Sequence, residues 1–246
     1  MAAVFAYDNL LRGAGILSEE TLVNFGAAKG VDGRASSQVG FASGADRSVV
    51  YDFSTVKSFD TFCLANHNFG TASASVKLEG SVDNVSYSAI DTVAIANNNV
   101  KLHAFPSSLF RYVRLTIQGH GGAAYASDIY IGPSLSLPYG MPKGFVSPEE
   151  YDQDVISSNI TGNGSLVGVD VEENPKRCKV PINDVERSWF DSYWLSFVSA
   201  VKQFPAYFLW AEGERPIYFY FYRKVPAPKF TTNNRKSVTL DIEGVV

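Results

Sequence analysis

Residues 48–70 read SVVYDFSTVKSFDTFCLANHNFG. Two runs here, RSVVYDF (47–53, taken with the preceding arginine) and FDTFCLA (59–65), are rich in β-branched and aromatic residues, with a polar break between them. The NHNFG that closes the stretch has the composition of a turn, so His67 reads as a residue that holds a turn rather than as a catalytic base. The same rhythm continues through ASVKLEGS (74–81), YSAIDTVAI (87–95), FRYVRLTIQ (110–118) and SDIYIG (127–132). In RYVRLTI, Tyr112, Arg114 and Thr116 face one way while Val113, Leu115 and Ile117 face the other, the period of a half-buried strand. Short strands at regular spacing, with Gly, Ser, Asn and Asp between them, predict a sandwich or jelly roll.

Outward from this core the pattern changes. GPSLSLPYGMPKGFVSPEEYD (132–152) contains four prolines and reads as a connection, with a domain boundary near Pro138. Beyond it, SLVGVDVEE (165–173) and RCKVPI (177–182) are expected to pair around the turn ENPK. NDVERSWFDSYWLSFVSAVKQ (183–203) is the strong helix, with Phe190, Tyr193, Trp194, Phe197, Val198 and Val201 on one face. Asn183 is the expected N-cap, with Glu186 completing a capping box, and Pro205 ends the run. AYFLWA (206–211), PIYFYFYRK (216–224) and SVTLDIEGV (237–245) supply the sheet on which the helix packs. The expectation is therefore a mainly β chain: a jelly-roll β-sandwich over 1–137, then a smaller α+β domain over 138–246 with one helix packed on an antiparallel sheet.

The chain has 246 residues, 46% of them hydrophobic and 19% charged, a globular composition. A net charge of -4 argues against nucleic acid as a partner, because phosphate recognition normally shows a basic excess. No run approaches the length of a membrane span, and the opening residues are expected to carry no signal peptide. Cys63 and Cys178 stand far apart and are expected to be buried thiols, as suits a reducing cytoplasm. His67, His103 and His120 have no partner at metal-ligand spacing, and no nucleophile elbow or phosphate loop is present. The acidic clusters SPEEYDQD and DVEENP read as solvated turns rather than the paired carboxylates of a sugar hydrolase. No enzyme activity, catalytic residue, metal or cofactor is expected.

Six segments then occur in a recognisable order: NLL (9–11), GAAKGVDGRASS (26–37), 48–70, SVKLEGSVDNVSYSAI (75–90), FRYVRLTIQG (110–119) and YASDIYIG (125–132). Together they resemble a discoidin, or F5/8 type C, domain, a β-sandwich that is often a carbohydrate-binding module. The DGR turn falls on Asp32, Gly33 and Arg34, and the S-x-D-G-x-x-[WY] turn on Ser81, Asp83, Asn84 and Tyr87. The tryptophan that usually follows the first turn is missing, Phe41 being the nearest aromatic. The resemblance implies saccharide binding, and a structural calcium in some members, with Asp32 and Asp128 at roughly matching places. The HNF variant at 67–69, followed by the xVxLxxSxD pattern, is similar to discoidin-like domains of bacteriophage virion proteins. The second half is more loosely similar to tail-tip and distal-tail proteins, on the order of its elements.

These resemblances imply a structural component of a phage tail tip or baseplate, assembled in the host cytoplasm and located in the virion. Its partners would be copies of itself in a ring-like homo-oligomer, other tail proteins, and host-surface saccharide met by an outward discoidin-like module. No nucleic acid and no membrane insertion are expected. The candidate subunit interface is the aromatic strand with the basic loop VPAPKFTTNNRK (225–236): Tyr218, Tyr220, Tyr222, Arg223, Lys229, Arg235 and Lys236. The alternative is a soluble carbohydrate-binding module protein that recognises glycan as a monomer.

Overall fold

The computed structural model describes residues 3–147, 155–160, 166–172, 176–221 and 225–245. The strands are β1 (Val4–Ala6), β2 (Gly15–Glu19), β3 (Val39–Phe41), β4 (Arg47–His67), β5 (Ser75–Ser81), β6 (Ser88–Ala94), β7 (Lys101–Gln118), β8 (Ala124–Gly132) and β9 (Ser134–Ser136). They continue as β10 (Val155–Ile160), β11 (Leu166–Glu172), β12 (Lys176–Glu186), β13 (Ala206–Leu209), β14 (Ile217–Phe221), β15 (Lys229–Thr232) and β16 (Arg235–Val245). Two α-helices are described, α1 (Phe69–Ala72) and α2 (Arg187–Val201). The chain is mainly β and every strand pair is antiparallel, as the sequence implies.

One sheet, β3-β8-β4-β7-β5-β6 with β2 also on β4, curls into both layers of a sandwich because β4 and β7 are long and irregular. The two runs expected as separate strands at 47–53 and 59–65 are the halves of β4, which shifts register between Asp52 and Lys57. Its first half pairs with β2 and the end of β7; its second half pairs with β8 and the start of β7. Val49, Tyr51, Phe62, Leu64, Val113, Leu115, Ile117 and Ile129 fill the space between the layers. The strand expected at 110–118 begins earlier: β7 already includes Lys101–Phe105.

The second sheet runs β12-β16-β14-β13-β1-β9, with β15 on β16. It thus takes strands Val4–Ala6 and Ser134–Ser136 from within the span 1–137 read as the first unit. Phe5 lies at the centre of this core, its ring 4.6 Å from Phe208 and 5.1 Å from Phe197 of α2. Phe190, Trp194, Phe197 and Val201 form the buried helix face; Tyr193, expected on it, is 45% exposed, and Val198 is partly buried.

Two local expectations are corrected. The segments at 165–173 and 177–182 do not pair with each other: β11 pairs with β10, and β12 pairs with β16. The longer ladder sets buried Cys178, Val180 and Ile182 against Ile242, Leu240 and Val238, a continuous apolar face that a short hairpin could not offer. Nor does Asn183 cap the helix. Strand β12 runs through Glu186, which is the N-cap but makes no side-chain cap, and the Arg187 amide donates to the Asn234 carbonyl at 2.9 Å. The turn between β15 and β16 does the work of a capping side chain.

The two units meet over the outer face of β4's second half and β8. Thr61, Cys63 and Ala65 point away from the sandwich core, and Cys63, Ala65 and Tyr130 pack against Ala6, Tyr207 and Tyr218 of the second sheet. Both cysteines are buried free thiols.

Phe5→Ala is expected to lower stability by about 3–5 kcal/mol, the usual cost of deleting a buried phenylalanine side chain. Urea unfolding of the intact chain measures it. A loss below about 1 kcal/mol would mean that β1 is not part of the second core.

Candidate functional site

The loops between strands gather at two ends of the sandwich, and one end holds a polar cleft of about 390 Å³ lined by Gln38, Asn66, His67, Asn68, Asn98, Val100 and Tyr125. The local sequence builds it from three loops and the adjoining ends of β4 and β8. Asn66 takes a left-handed backbone (φ 48°), which asparagine tolerates, and turns the chain out of β4. Gly40 lets the Tyr125 ring lie close, since a Cβ there would meet a ring carbon at 2.8 Å. The same ring meets Phe25 in a T-shaped contact at 5.3 Å.

Most of the polar side chains here are spent on the fold. His67 Nδ1 accepts from the Phe69 amide at 3.2 Å, which places the proton on Nε2, donating to the Asn99 carbonyl at 2.9 Å. Burial lowers its pKa, against the Asn99 hydrogen bond, so the ring is neutral at pH 7 and holds the turn, as its sequence context implies. Asn68 Oδ1 accepts from the Tyr125 amide at 2.7 Å, and its Nδ2 donates to the Ala123 carbonyl. Asn98 is bound to Thr71 through both ends of its amide. What remains uncommitted is the Gln38 amide, the Asn66 amide and the Tyr125 hydroxyl, which have no hydrogen-bond partner among the described residues. The cleft lining includes no Lys, Arg, Asp or Glu. The arrangement can exchange neutral hydrogen bonds with a ligand beside an aromatic ring; it has no nucleophile or general base free to act.

His103 instead pairs with Asp91 at 2.8 Å on the β6–β7 face. His120 is buried with Nδ1 bound to the Gly122 carbonyl and no partner on Nε2. The acid cluster SPEEYDQD lies almost wholly outside the described residues.

The two acids singled out by the family resemblance have other work. Asp32 accepts from the Arg34 amide and shapes the DGR turn, whose Gly33 (φ 73°) sits against Phe204. Asp128 is buried at the junction; its Oδ1 meets Arg12 at 3.1 Å and its Oδ2 accepts from the Tyr207 hydroxyl at 2.8 Å. Arg12 also lies over the Phe204 ring at 4.2 Å. A guanidinium supplies the positive charge and both carboxylate oxygens are engaged, so the residues present do not fit a calcium ion. No group of three metal-ligating side chains is found among the described residues.

The expected interface residues are dispersed. Tyr218 is buried in the junction, its ring 5.0 Å from Tyr207. Tyr220 is 47% exposed and donates to Glu243 at 2.8 Å. Tyr222 and Arg223 lie outside the described residues. Lys229 is exposed on β15, while Arg235 pairs with Asp184 at 3.0 Å and Lys236 with Asp191 at 3.2 Å. Tyr220 lies opposite Glu243, eight positions along β16 from Arg235, roughly 27 Å at about 3.4 Å per residue. The structure therefore brings Lys229, Arg235 and Lys236 together and leaves Tyr220 apart. The basic segment is a hairpin whose charges are partly answered by acids of the same chain, rather than a loop.

No protein-family model and no curated protein matches the chain. Among solved structures it is similar to a CBM32 domain from a family 31 glycoside hydrolase of Clostridium perfringens, with 18% identity, 51% of this chain and 98% of that one covered, and a TM-score of 0.43. A second is chitosan-binding module 1 from a chitosanase/glucanase of Paenibacillus sp. IK-5, with 18% identity, coverage of 51% and 98%, and a TM-score of 0.42. A third is a Clostridium perfringens CBM32 domain in complex with GalNAc-β-1,3-galactose, with 17% identity, coverage of 51% and 99%, and a TM-score of 0.43. Against SpGH29 the chain spans 28% of that protein's length, with 16% identity, 52% of this chain covered and a TM-score of 0.43. These neighbours share about half of this chain.

Asp128 sets a pH test of the junction. Burial lifts its pKa from 3.8 to about 6, against the opposing pull of Arg12 and Tyr207. An acid whose folded pKa is raised binds its proton more tightly when folded, so its contribution to stability falls as pH rises from about 4 to 6. The stability difference between wild type and Asp128→Asn is expected to shift against wild type by roughly 2–3 kcal/mol over that window. Urea titrations at pH 4, 5, 6 and 7 measure it; a flat difference would show an unperturbed carboxyl.

Proposed function

We propose that the sandwich is a non-catalytic saccharide-binding module whose ligand enters the cleft between Asn66, Gln38 and Tyr125. The observation that supports this most is the set of uncommitted amide and hydroxyl groups around a cleft whose other polar groups are already satisfied. Sugars carry hydroxyls as both donors and acceptors, and amides answer both roles at one site. The family resemblance of the first half points the same way.

Asn66→Gly, which keeps the left-handed backbone accessible, Gln38→Ala and Tyr125→Phe each remove one uncommitted group. Each is expected to weaken glycan binding about 3- to 10-fold, the range of one net hydrogen bond, with folding unchanged. A panel of neutral, acidic and amino sugars, read by calorimetry and by the rise in melting temperature that a ligand of the folded state causes, provides the test. With His67 neutral above its lowered pKa, affinity is expected to stay level between pH 7 and 8. Absence of binding to every sugar, or binding indifferent to all three substitutions, would remove the cleft from consideration.

The second reading is an assembly role, as a ring-forming part of a phage tail tip in the virion, with this module turned outward. It is favoured by apolar side chains that the second half leaves in water: Tyr193, Tyr220 at 47%, Phe230 at 60% and Leu195 at 78% exposure. Such a protein would recover with megadalton particles when a lysate of the source cells is sedimented. Recovery only as a species of one or a few chains would rule this reading out.

A further inference from the structure

Strand β12 forms an edge of the second sheet. It pairs with β16 on one side, and among the described residues no backbone group bonds to residues 178–183 on the other. Buried Cys178, Val180 and Ile182 alternate along it with Lys179 and Pro181, which are not buried. A proline has no N–H to give its partner, so it suits the wide pairs of an antiparallel ladder, whose backbone groups turn outward. That alternation leaves the amide and carbonyl of Lys179 and the carbonyl of Pro181 on the open side.

Facing this edge runs the connection 137–146. It reaches the strand where the Cys178 thiol approaches the Val146 carbonyl at 3.6 Å. Two clefts, of about 450 and 660 Å³, remain between them and adjoin at Pro142 and Pro181. The smaller has apolar walls from Leu137, Tyr139, Met141 and Ile182. The larger is lined by three cations, Lys143, Arg177 and Lys179, and by one acid, Asp241. Arg177 pairs with Glu243, whereas Lys143 and Lys179 have no ion-pair partner among the described residues. Asp241 lies across the ladder from Lys179, so the cleft carries an excess of positive charge rather than an isolated one. A strand edge, side-chain clefts beside it and that excess are together the requirements for receiving another, acidic strand.

We propose that the β12 edge accepts an extended acidic peptide as an added strand, its backbone on Lys179 and Pro181 and its carboxylates toward Lys143 and Lys179. Aliphatic side chains of alternate residues enter the smaller cleft. Pro181 removes one donor from the edge, which limits pairing with further copies of the same strand and favours a partner selected by charge. This site is separate from the saccharide cleft and does not depend on it.

The probe is a fluorescein-labelled Ac-EVEVEVE-NH2 peptide, titrated against the intact chain and followed by anisotropy, with Ac-KVKVKVK-NH2 as its charge-reversed control. The acidic peptide is expected to bind, to slow hydrogen exchange at the Lys179 amide, and to weaken as salt rises. Lys143→Glu with Lys179→Glu, both on exposed side chains, is expected to reduce affinity at least about fivefold, as the loss of two exposed charge pairs implies. Lys29→Glu on the sandwich should leave it unchanged. No binding at about millimolar peptide, equal binding of the basic control, or affinity indifferent to the double substitution would each overturn the proposal.

Discussion

The second half of β4 and the strand β8 beside it are covered on both faces, and the rest of the molecule is arranged around that fact. On one side Phe62, Leu64, Ile129 and Ile131 close the sandwich; on the other Cys63, Ala65 and Tyr130 meet the second sheet. Polar groups enclosed in such a layer must be answered from within. Asp128 is, by Arg12 from the first half and Tyr207 from the second, and Arg12 in turn stacks on Phe204. A charge held in this way fixes where the two sheets sit, because sliding one past the other would leave a carboxylate buried without its partners. The cost of keeping it ionised there is visible in its raised pKa.

This arrangement explains why β1 belongs with the C-terminal strands. From β1 in the second sheet the chain crosses to the sandwich through the turn at Asn9 and Arg12, and it returns through β9, which pairs with β1. Asn9 fastens the crossing, donating to the Ile129 carbonyl and accepting from the Leu11 and Ile131 amides. Both crossings are therefore tied to β8, the same strand that carries Asp128. The sandwich keeps its own core, meets the second sheet through a separate junction cluster, and is joined to it by two crossings rather than a single linker.

The sandwich strands were legible because alternation over five or more residues is a strong signal, as in Tyr112–Ile117, and helix α2 was legible from its apolar spacing. Val4–Ala6 and Ser134–Ser136 were not, since three residues cannot show a period, and their pairing is decided by partners more than seventy residues away. The wrong partner for β11 has the same origin: local turn composition at ENPK favoured a hairpin, and the longer ladder with β16 prevailed. The run FDTFCLA did carry a trace of the junction, because its apolar residues do not alternate, as befits a strand buried on two sides. In the candidate cleft, His67 and the asparagines were visible as turn residues. Which of them would be left uncommitted depended on Phe69, Thr71, Ala123 and Tyr125, contacts that composition does not reveal.

Tyr218 looked like an interface residue because the strand Tyr218–Tyr222 carries rings on consecutive positions, and a strand with rings on both faces needs two apolar surroundings. The chain supplies both itself, α2 on one side and the sandwich on the other, as far along β14 as Tyr218. Past that point the sandwich no longer covers the sheet: Tyr220 is half in water, held by Glu243, which also holds Arg177. Among the described residues, the β12 edge of the sheet is open, and the clefts beside it share no lining residue with the cleft at the sandwich end. A ligand at the sandwich end and a protein at the sheet edge would touch different strands. The buried layer of β4 and β8 would keep the two sites at a fixed separation, which a flexible tether between modules could not do.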